Sequence, residues 1–516
     1  MRRTLRGAAI AIAGVASLGV SGAMAQQPAQ NVSVEVDFDA TGPRIEPEVQ
    51  GHFAEHLGRG IYEGVWVGED SAIPNTDGFR TDVLVALQQL EIPVVRWPGG
   101  CFADEYDWRD GIGPRAERPV RLNTHWGWVI EDNAFGTHEF LNYSEALGAK
   151  PYVAGNMGSL PAVEMARWME YMTGDLPTDL AEMRRANGRD EPWDVPYFGI
   201  GNESWGCGGN MQPSYSADLH RRYSTFVKAP PGKSIVKVAT GANVDDYNFT
   251  ETLMREARHT MDAISIHYYT FPGSWEDKGP ATGFGRDQWA STLSHALRMD
   301  ELVTNHVAIM DKHDPEGRVD LYVDEWGTWY DSEPGSTPGF LYQQNSLRDA
   351  LVVGLTMNVF HDHTRRVKMA NIAQMVNVLQ ASILTDGEEM LLTPTYHALD
   401  MYRPFRGAVP LQAEVDTPRY VEGEYDLPLV DVSVARGEDG KLIVSLINLS
   451  PDTPARVATN LEGTASGRII TGPELDTHNT FDNPERITPA PYAARSRGGE
   501  LVFDLPAKSL VVVTID

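Results

Sequence analysis

Between about residues 46 and 402, short apolar runs alternate with longer stretches in which apolar residues recur every three to four positions. Runs of the first kind end at Arg96, Gly155, Gly201, His267 and Glu325 and read as strands, while 81–90, 160–172, 215–227, 287–313 and 345–360 read as amphipathic helices. This alternation argues for parallel βαβ units, and a segment of that length holds a (β/α)8 barrel of ~250 residues or more. Beyond Arg403 the period becomes that of strands: 427–435, 441–449 and 501–515 are β-rich, Glu438-Asp439-Gly440 reads as a hairpin turn and Asn483-Pro484 as a loop. A C-terminal β-sandwich follows from that change. Residues 32–38 also alternate apolar with polar and have no partner in the barrel, so the sandwich is their expected sheet. The expected organisation is a leader at 1–25, a strand segment at 26–45, the barrel at 46–402 and the sandwich at 403–516.

The leader rests on the basic start Met1-Arg-Arg-Thr-Leu-Arg-Gly, the small and apolar run 8–20, and Ala23-Met24-Ala25, the small-x-small pattern that signal peptidases cut. Cleavage near Ala25/Gln26 and a secreted or periplasmic location are therefore expected. The run is shorter than the ~20 residues a membrane span needs, and no other segment approaches that length, so no membrane association is expected after cleavage. Hydrophobic residues at 42% and charged residues at 22% describe an ordinary globular protein. The charge balance is less ordinary: 72 acidic against 43 basic residues leave a net charge of −29, which repels nucleic-acid phosphates and argues against that class of partner. Two cysteines make no disulfide framework in a chain of 516 residues. Buried free thiols are the expectation for Cys101 and Cys207, with a bridge left open because each follows a strand end inside a motif.

Chemistry enters at two of the strand ends. Gly199-Ile-Gly-Asn202-Glu203-Ser-Trp205 and Leu321-Tyr-Val-Asp-Glu325-Trp326-Gly each deliver a glutamate where an apolar run stops, 122 positions apart. Two carboxylates brought to one place from two strands are the minimum equipment for cleaving a glycosidic bond, one protonating the leaving oxygen and the other attacking or activating water. They suffice for the reaction, so neither a metal nor a cofactor is expected. In a (β/α)8 barrel the site lies at the C-terminal ends of the strands, where Arg96, Glu203, His267 and Glu325 all fall.

Five segments resemble glycoside hydrolase family 51, chiefly α-L-arabinofuranosidases. They are Gly51-His-Phe-Ala-Glu55-His-Leu-Gly-Arg, Val95-Arg96-Trp97-Pro-Gly-Gly-Cys101-Phe-Ala-Asp, Gly199 to Met211 around Asn202-Glu203, Ile266-His267-Tyr-Tyr269, and Val323-Asp-Glu325-Trp326-Gly-Thr-Trp-Tyr. They occur in the family's order and cover nearly all of the chain after the leader. The resemblance implies a (β/α)8 barrel followed by a jelly-roll sandwich that takes in the first strand, and a retaining double displacement. By the same motifs Glu203 resembles the general acid/base and Glu325 the nucleophile. Glu55 and Asn202 resemble residues holding sugar hydroxyls, Tyr269 the residue that hydrogen-bonds the nucleophile, and Cys101 a position touching the sugar mainly through its backbone. Arg96 is placed to pair with a catalytic carboxylate, and His267 to orient the acid/base or the sugar. Trp97, Trp205 and Trp326 offer ring faces for stacking or for packing the barrel. The stretch Glu388-Glu389-Met-Leu-Leu-Thr-Pro394 departs from the family, many of whose members carry a sugar-binding Gln there, which puts one hydroxyl contact in doubt. The implied substrate is an arabinose-containing plant polysaccharide or oligosaccharide, and the family's frequent hexamers make a homo-oligomer an expectation.

Other readings compete. An endo-β-glucanase or xylan-acting enzyme would use the same fold and carboxylate pair, because neither specifies the sugar. A binding protein without catalysis is disfavoured by the presence of both glutamates. His52-Phe-Ala-Glu55-His56 spells a zinc-peptidase pattern, but Gly51, Gly58 and Gly60 oppose the helix that would put both histidines on one face. His361-Asp362-His363, at the end of a helical stretch, reads more readily as a helix terminus than as a metal ligand set.

Overall fold

The computed structural model of the chain describes residues 28–516. A first strand, β1 (Gln30–Thr41), is followed by eight parallel strands that close into a barrel in sequence order: β2 (Gly51–Phe53), β3 (Val94–Trp97), β4 (Lys150–Gly155), β5 (Tyr197–Ile200), β6 (Val236–Asn243), β7 (Ala263–Thr270), β8 (Asp320–Thr328) and β9 (Val367–Ala373). A helix follows each barrel strand: α1 (Thr81–Leu90), α2 (Thr137–Leu147), α3 (Ala162–Thr173), α4 (Pro213–Phe226), α5 (Tyr247–Glu256), α6 (Arg286–His313), α7 (Leu347–Asp362) and α8 (Pro394–Tyr402). The five strands and five helices legible from periodicity are all present. The remaining elements are short or mixed in pattern; β2 has three residues and α2 opens on the polar Thr137-His138-Glu139.

Strand alternation divides the side chains. Val94, Tyr152, Val238, Ala263, Tyr322 and Met369 plug the barrel interior, while Val95, Trp97, Ile264, Ile266, Val323 and Trp326 join the core under the helices. Alternation breaks once where it matters. Ser265 pairs with Tyr322 and His267 with Glu325, so β8 spends two residues where β7 spends one. This bulge turns Asp324 and Glu325, neighbours in sequence, to the same side.

Nine of the later strands share one sheet: β10 (Val409–Asp416), β11 (Val430–Arg436), β12 (Leu442–Asn448), β13 (Ala455–Glu462), β14 (Ala465–Thr471), β15 (Ala490–Ala493), β16 (Arg495–Arg497), β17 (Glu500–Leu505) and β18 (Ser509–Ile515). With β1 they form one sheet in the order β15-β14-β18-β12-β11-β10-β1-β13-β17-β16. Its two outermost strands are consecutive in the chain, joined only through Ala494, so the sheet must curl until its edges meet. β1 lies between β10, antiparallel, and β13, parallel, with Val32, Val34 and Val36 buried. Helix α7 is buried from Leu347 to His361 because it packs between the barrel and this sheet. Among the described residues no helix is long and apolar enough to cross a membrane.

Candidate active site

A cavity of about 660 Å³ opens over the C-terminal ends of the barrel strands, and Glu55, Cys101, Glu203, His267, Tyr269 and Glu325 line it. They arrive from five pieces of backbone. Glu203 leaves β5 through Gly201, whose φ of +85° any side chain would resist, and itself sits at φ +35°. His267 and Tyr269 point inward from β7, two residues apart as alternation requires. Glu55 follows β2, and its Oε1 accepts from the Gly100 N–H at 2.9 Å, the Phe102 N–H at 3.1 Å and the Trp126 indole at 2.8 Å. Its Oε2 accepts from Gln374 at 3.2 Å. Asp104 ties the loops together by accepting from the Met157 and Gly158 N–H groups, both at 2.7 Å, and from the Asn202 N–H at 2.9 Å.

The two glutamates are held differently. Glu325 accepts from Arg96 Nη1 at 2.7 Å on one oxygen and from the Tyr269 hydroxyl at 2.8 Å on the other. Glu203 meets His267 Nδ1 at 2.8 Å through Oε1, and His267 Nε2 in turn meets Asp324 at 3.0 Å. An oxygen of Glu203 and one of Glu325 lie within 4.8 Å of each other, close enough for the ~5–5.5 Å carboxyl separation of retaining glycosidases.

Electrostatics follows from burial and from this wiring. Burial pushes the Glu203 carboxyl up, the His267 hydrogen bond opposes that, and the nearby Glu325 charge adds to it. His267 is buried, which alone would lower its pKa, but the charge of Glu325 and the hydrogen bonds to Asp324 and Glu203 raise it to about 10. Its ring is therefore a cation that donates to both carboxylates. Asp324 is held below the usual range in spite of burial, by Arg96 and by His267. Glu55 is raised to about 7, first by burial and then by the Glu325 charge.

Backbone approaches Glu325 closely at one point. A Cβ added to Gly100 would stand 2.7 Å from Glu325 Oε1, the oxygen that Arg96 holds. Gly100→Ala is therefore expected to displace that carboxylate and lower kcat/KM on the order of 10²-fold, the scale of a 1 Å misplacement, with thermal unfolding little changed. Steady-state kinetics beside a melting curve checks it.

Of the residues singled out from sequence, Glu55, Arg96, Cys101, Asn202, Glu203, His267, Tyr269 and Glu325 come together here; Arg96 also donates to Asn202 at 2.5 Å. Trp326 does not. It faces outward against Phe360 because it follows the inward Glu325, and Trp97 likewise stacks on Phe140. Trp205 lines the cavity. The free-thiol expectation is corrected: Cys101 and Cys207 form a disulfide with Cα atoms 5.4 Å apart, because Asp104 binds the loop after β3 to the loop after β5. Glu388 and Glu389 belong to a hairpin whose strands are Ile383–Asp386 and Glu389–Leu392, and neither lines the cavity. The glutamine there is Gln374, immediately after β9, a strand that the periodicity did not reveal. Asp324, Asp104 and Trp126 were also missed; only the acidic pair Asp324-Glu325 carried a signal. The zinc-peptidase reading fails on geometry, since β2 is a strand, His52 meets Ser382 and His56 meets Glu131. His361 and His363 bond separately to Ser433 and Asp300.

Comparison with known proteins agrees with this geometry. Residues 86–278 match the family model of the alpha-L-arabinofuranosidase 1 domain, and residues 324–509 that of the alpha-L-arabinofuranosidase C-terminal domain. The chain is 47% identical to the intracellular exo-alpha-L-arabinofuranosidase of Bacteroides ovatus over 97% of its own length and 98% of that protein's. It superposes on the GH51 arabinofuranosidase of Xanthomonas axonopodis pv. citri with a TM-score of 0.93 at 51% identity, covering 94% of this chain and 100% of that one. It also superposes on the alpha-L-arabinofuranosidase of Thermotoga maritima, an arabinose complex, with a TM-score of 0.83 at 29% identity, covering 94% and 99%. The endo-β-glucanase and xylan-acting readings are not favoured beside these relatives.

The comparison also corrects the secreted or periplasmic location and the cleavage at Ala25/Gln26. The Bacteroides relative, matched along nearly the whole chain, is named intracellular, and residues 1–25 lie outside the described residues. A basic start followed by a small apolar run and Ala-x-Ala is a short compositional pattern, so it is outweighed by a relative matched over both domains. Identity at 47% over an alignment that spans both barrel and sheet settles the kinship: the chain belongs to glycoside hydrolase family 51, the retaining α-L-arabinofuranosidases.

Proposed function

We propose that this chain releases terminal α-L-arabinofuranosyl residues from arabinose-containing polysaccharides or oligosaccharides, with Glu325 as nucleophile and Glu203 as acid/base. The observation that carries this division is the asymmetry between the two carboxyls. Arg96 and Tyr269 fix both oxygens of Glu325 for attack on the anomeric carbon, while His267 engages only Oε1 of the raised Glu203 and leaves Oε2 to carry the proton. In the first step that proton passes to the leaving oxygen as Glu325 bonds to the sugar. Bonding neutralises Glu325, which removes one of the charges that hold Glu203 up, so Glu203 can then take a proton from the incoming water. Glu55, Asn202 and Gln374 offer acceptors and donors to the sugar hydroxyls, since Glu55 Oε2 has one protein partner and room for another. The loop after β7, with Phe271 and Trp275 on the cavity wall, faces the aglycone. In this reading residues 46–402 hold the catalytic machinery, β1 with 403–516 forms the supporting sheet, and the working particle is a homo-oligomer, which light scattering measures.

A panel of aryl α-L-arabinofuranoside, β-D-xyloside and β-D-glucoside tests the sugar: the first is expected to be hydrolysed with a kcat/KM at least about 10²-fold above the others. Preference for either of the others would overturn the assignment. Since two carboxylates do the chemistry, exhaustive chelation is expected to leave turnover unchanged.

A further inference from the structure

The disulfide has no part in the reaction as just described, yet it stands against the acid/base. Cys207 Sγ is 3.4 Å and Cys101 Sγ 4.0 Å from Glu203 Oε2, the oxygen that His267 does not hold. Both cysteines line the cavity and neither is fully buried, so a small reductant entering by the substrate's route reaches them. Neither loop depends on the bridge for its place, because Asp104 accepts from Asn202 on one side and Glu55 accepts from Gly100 and Phe102 on the other. Opening the disulfide therefore frees two sulfurs in a frame that stays put.

We infer that the reduced pair, Cys101 and Cys207, forms with Glu203 Oε2 a site for a thiophilic divalent cation such as Zn²⁺ or Cd²⁺, and that the cation shuts off the acid/base. Tetrahedral zinc with Zn–S of ~2.3 Å and Zn–O of ~2.1 Å needs S···O separations of about 3.6 Å and an S···S separation of about 3.8 Å. The two S···O distances, 3.4 and 4.0 Å, already bracket the first requirement. The second needs only that the freed sulfurs part, which each side chain can do about its own Cα–Cβ bond. Two thiolates and a carboxylate set three negative charges against two positive, so the nearby His267 and Arg96 cations do not exclude the ion. The neighbouring triad of Glu203, His267 and Glu325 also has its ligand atoms within 4.8 Å of one another but does not compete, since both ring nitrogens of His267 are already engaged, Nδ1 by Glu203 at 2.8 Å and Nε2 by Asp324 at 3.0 Å. The chemistry balances as thiol–disulfide exchange. A dithiol attacks one sulfur, a mixed disulfide forms, and the dithiol closes to its own disulfide as two electrons and two protons pass to Cys101 and Cys207; metal binding then releases both thiol protons.

This inference rests on Glu203 as acid/base, and its test keeps the two separable. The whole protein is reduced with excess dithiothreitol and desalted without oxygen, after which two thiols per chain are expected by titration. Cd²⁺ is then expected to bind at one equivalent with the ultraviolet charge-transfer band of a cadmium dithiolate. In saturating Zn²⁺, hydrolysis of an arabino-oligosaccharide is expected to fall at least about tenfold and to return on chelation. The oxidised protein should show neither the band nor the loss. Reduced Cys207→Ser should lose the dithiolate band and the metal-dependent loss, each measured against its own metal-free state, and Glu203→Gln should bind Cd²⁺ at least about tenfold more weakly while keeping both thiols. Failure of dithiothreitol to yield thiols, absence of the band with two thiols present, a band without loss of turnover, or equal loss in the oxidised protein would each overturn the inference. Failure of metal-free enzyme to cleave any arabinofuranoside would instead overturn the functional reading, and the band would still report on the site.

Discussion

Replacing Glu325 by alanine is expected to reduce turnover of every arabinofuranoside by on the order of 10⁴-fold or more, since without the carboxylate no glycosyl-enzyme forms and no other group replaces it. The geometry offers no substitute: Asp324, its neighbour, is engaged by His267, Tyr152 and Arg96. Glu55, the third glutamate of the cavity beside Glu203 and Glu325, already accepts from four donors. Alanine also leaves Arg96 Nη1 and the Tyr269 hydroxyl without their partner and removes the charge that does most to hold His267 up. Glu325→Gln separates chemistry from stability, because its amide oxygen can still accept from Arg96 or Tyr269 while losing nucleophilicity. Both variants are expected to fail on an aryl arabinofuranoside, with Gln melting closer to wild type than Ala. Activity in either within about tenfold of wild type would show that Glu325 is not the attacking group.

Glu203→Ala is expected to divide substrates by leaving group. With a poor leaving group the loss should be on the order of 10²- to 10⁴-fold, the usual contribution of a positioned acid. An activated aryl leaving group needs no proton, so its first step should be far less affected and the glycosyl-enzyme should accumulate. Azide then attacks that intermediate without base help, speeding turnover and giving a product with the substrate's anomeric configuration; with the Glu325 variant azide can only displace directly and invert. The pH profile carries the same assignment. Glu203 acts protonated in the first step, so kcat/KM falls as pH rises through its pKa, which burial has raised, and the alanine variant should lose that alkaline limb. Proton NMR of the first-formed sugar from wild-type enzyme is the independent check, with net retention expected. An inverted first product would make Glu325 a base for water and remove the double displacement.

Much of this site is legible in the linear chain because barrel strands end where the chemistry begins. Arg96, Glu203, His267 and Glu325 each terminate an apolar run, and in a (β/α)8 barrel all such ends face one way, so their convergence needs no knowledge of distances. Local periodicity also sufficed for the longer helices and for the change to strands beyond Arg403. Other features depended on interactions that no window of sequence contains. Asp324 joined the site because a bulge in β8, visible only in its pairing with β7, undoes the rule that neighbours face apart; the same rule, intact, sent Trp326 out into the helical layer. Gln374 stood hidden because β9 reads as a mixed run and is recognised by the neighbours it pairs with, β8 and β2. The Cys101–Cys207 bond, across 106 positions, exists because Asp104 hydrogen-bonds two loops into register. What the sequence determined by itself was what period and composition encode: alternating elements, two glutamates at strand ends, and the kind of chemistry two carboxyls perform. Tertiary structure decided which oxygen of each glutamate is held and which is free, because that depends on partners such as His267, Arg96 and Tyr269, which only closure of the barrel brings within hydrogen-bond reach.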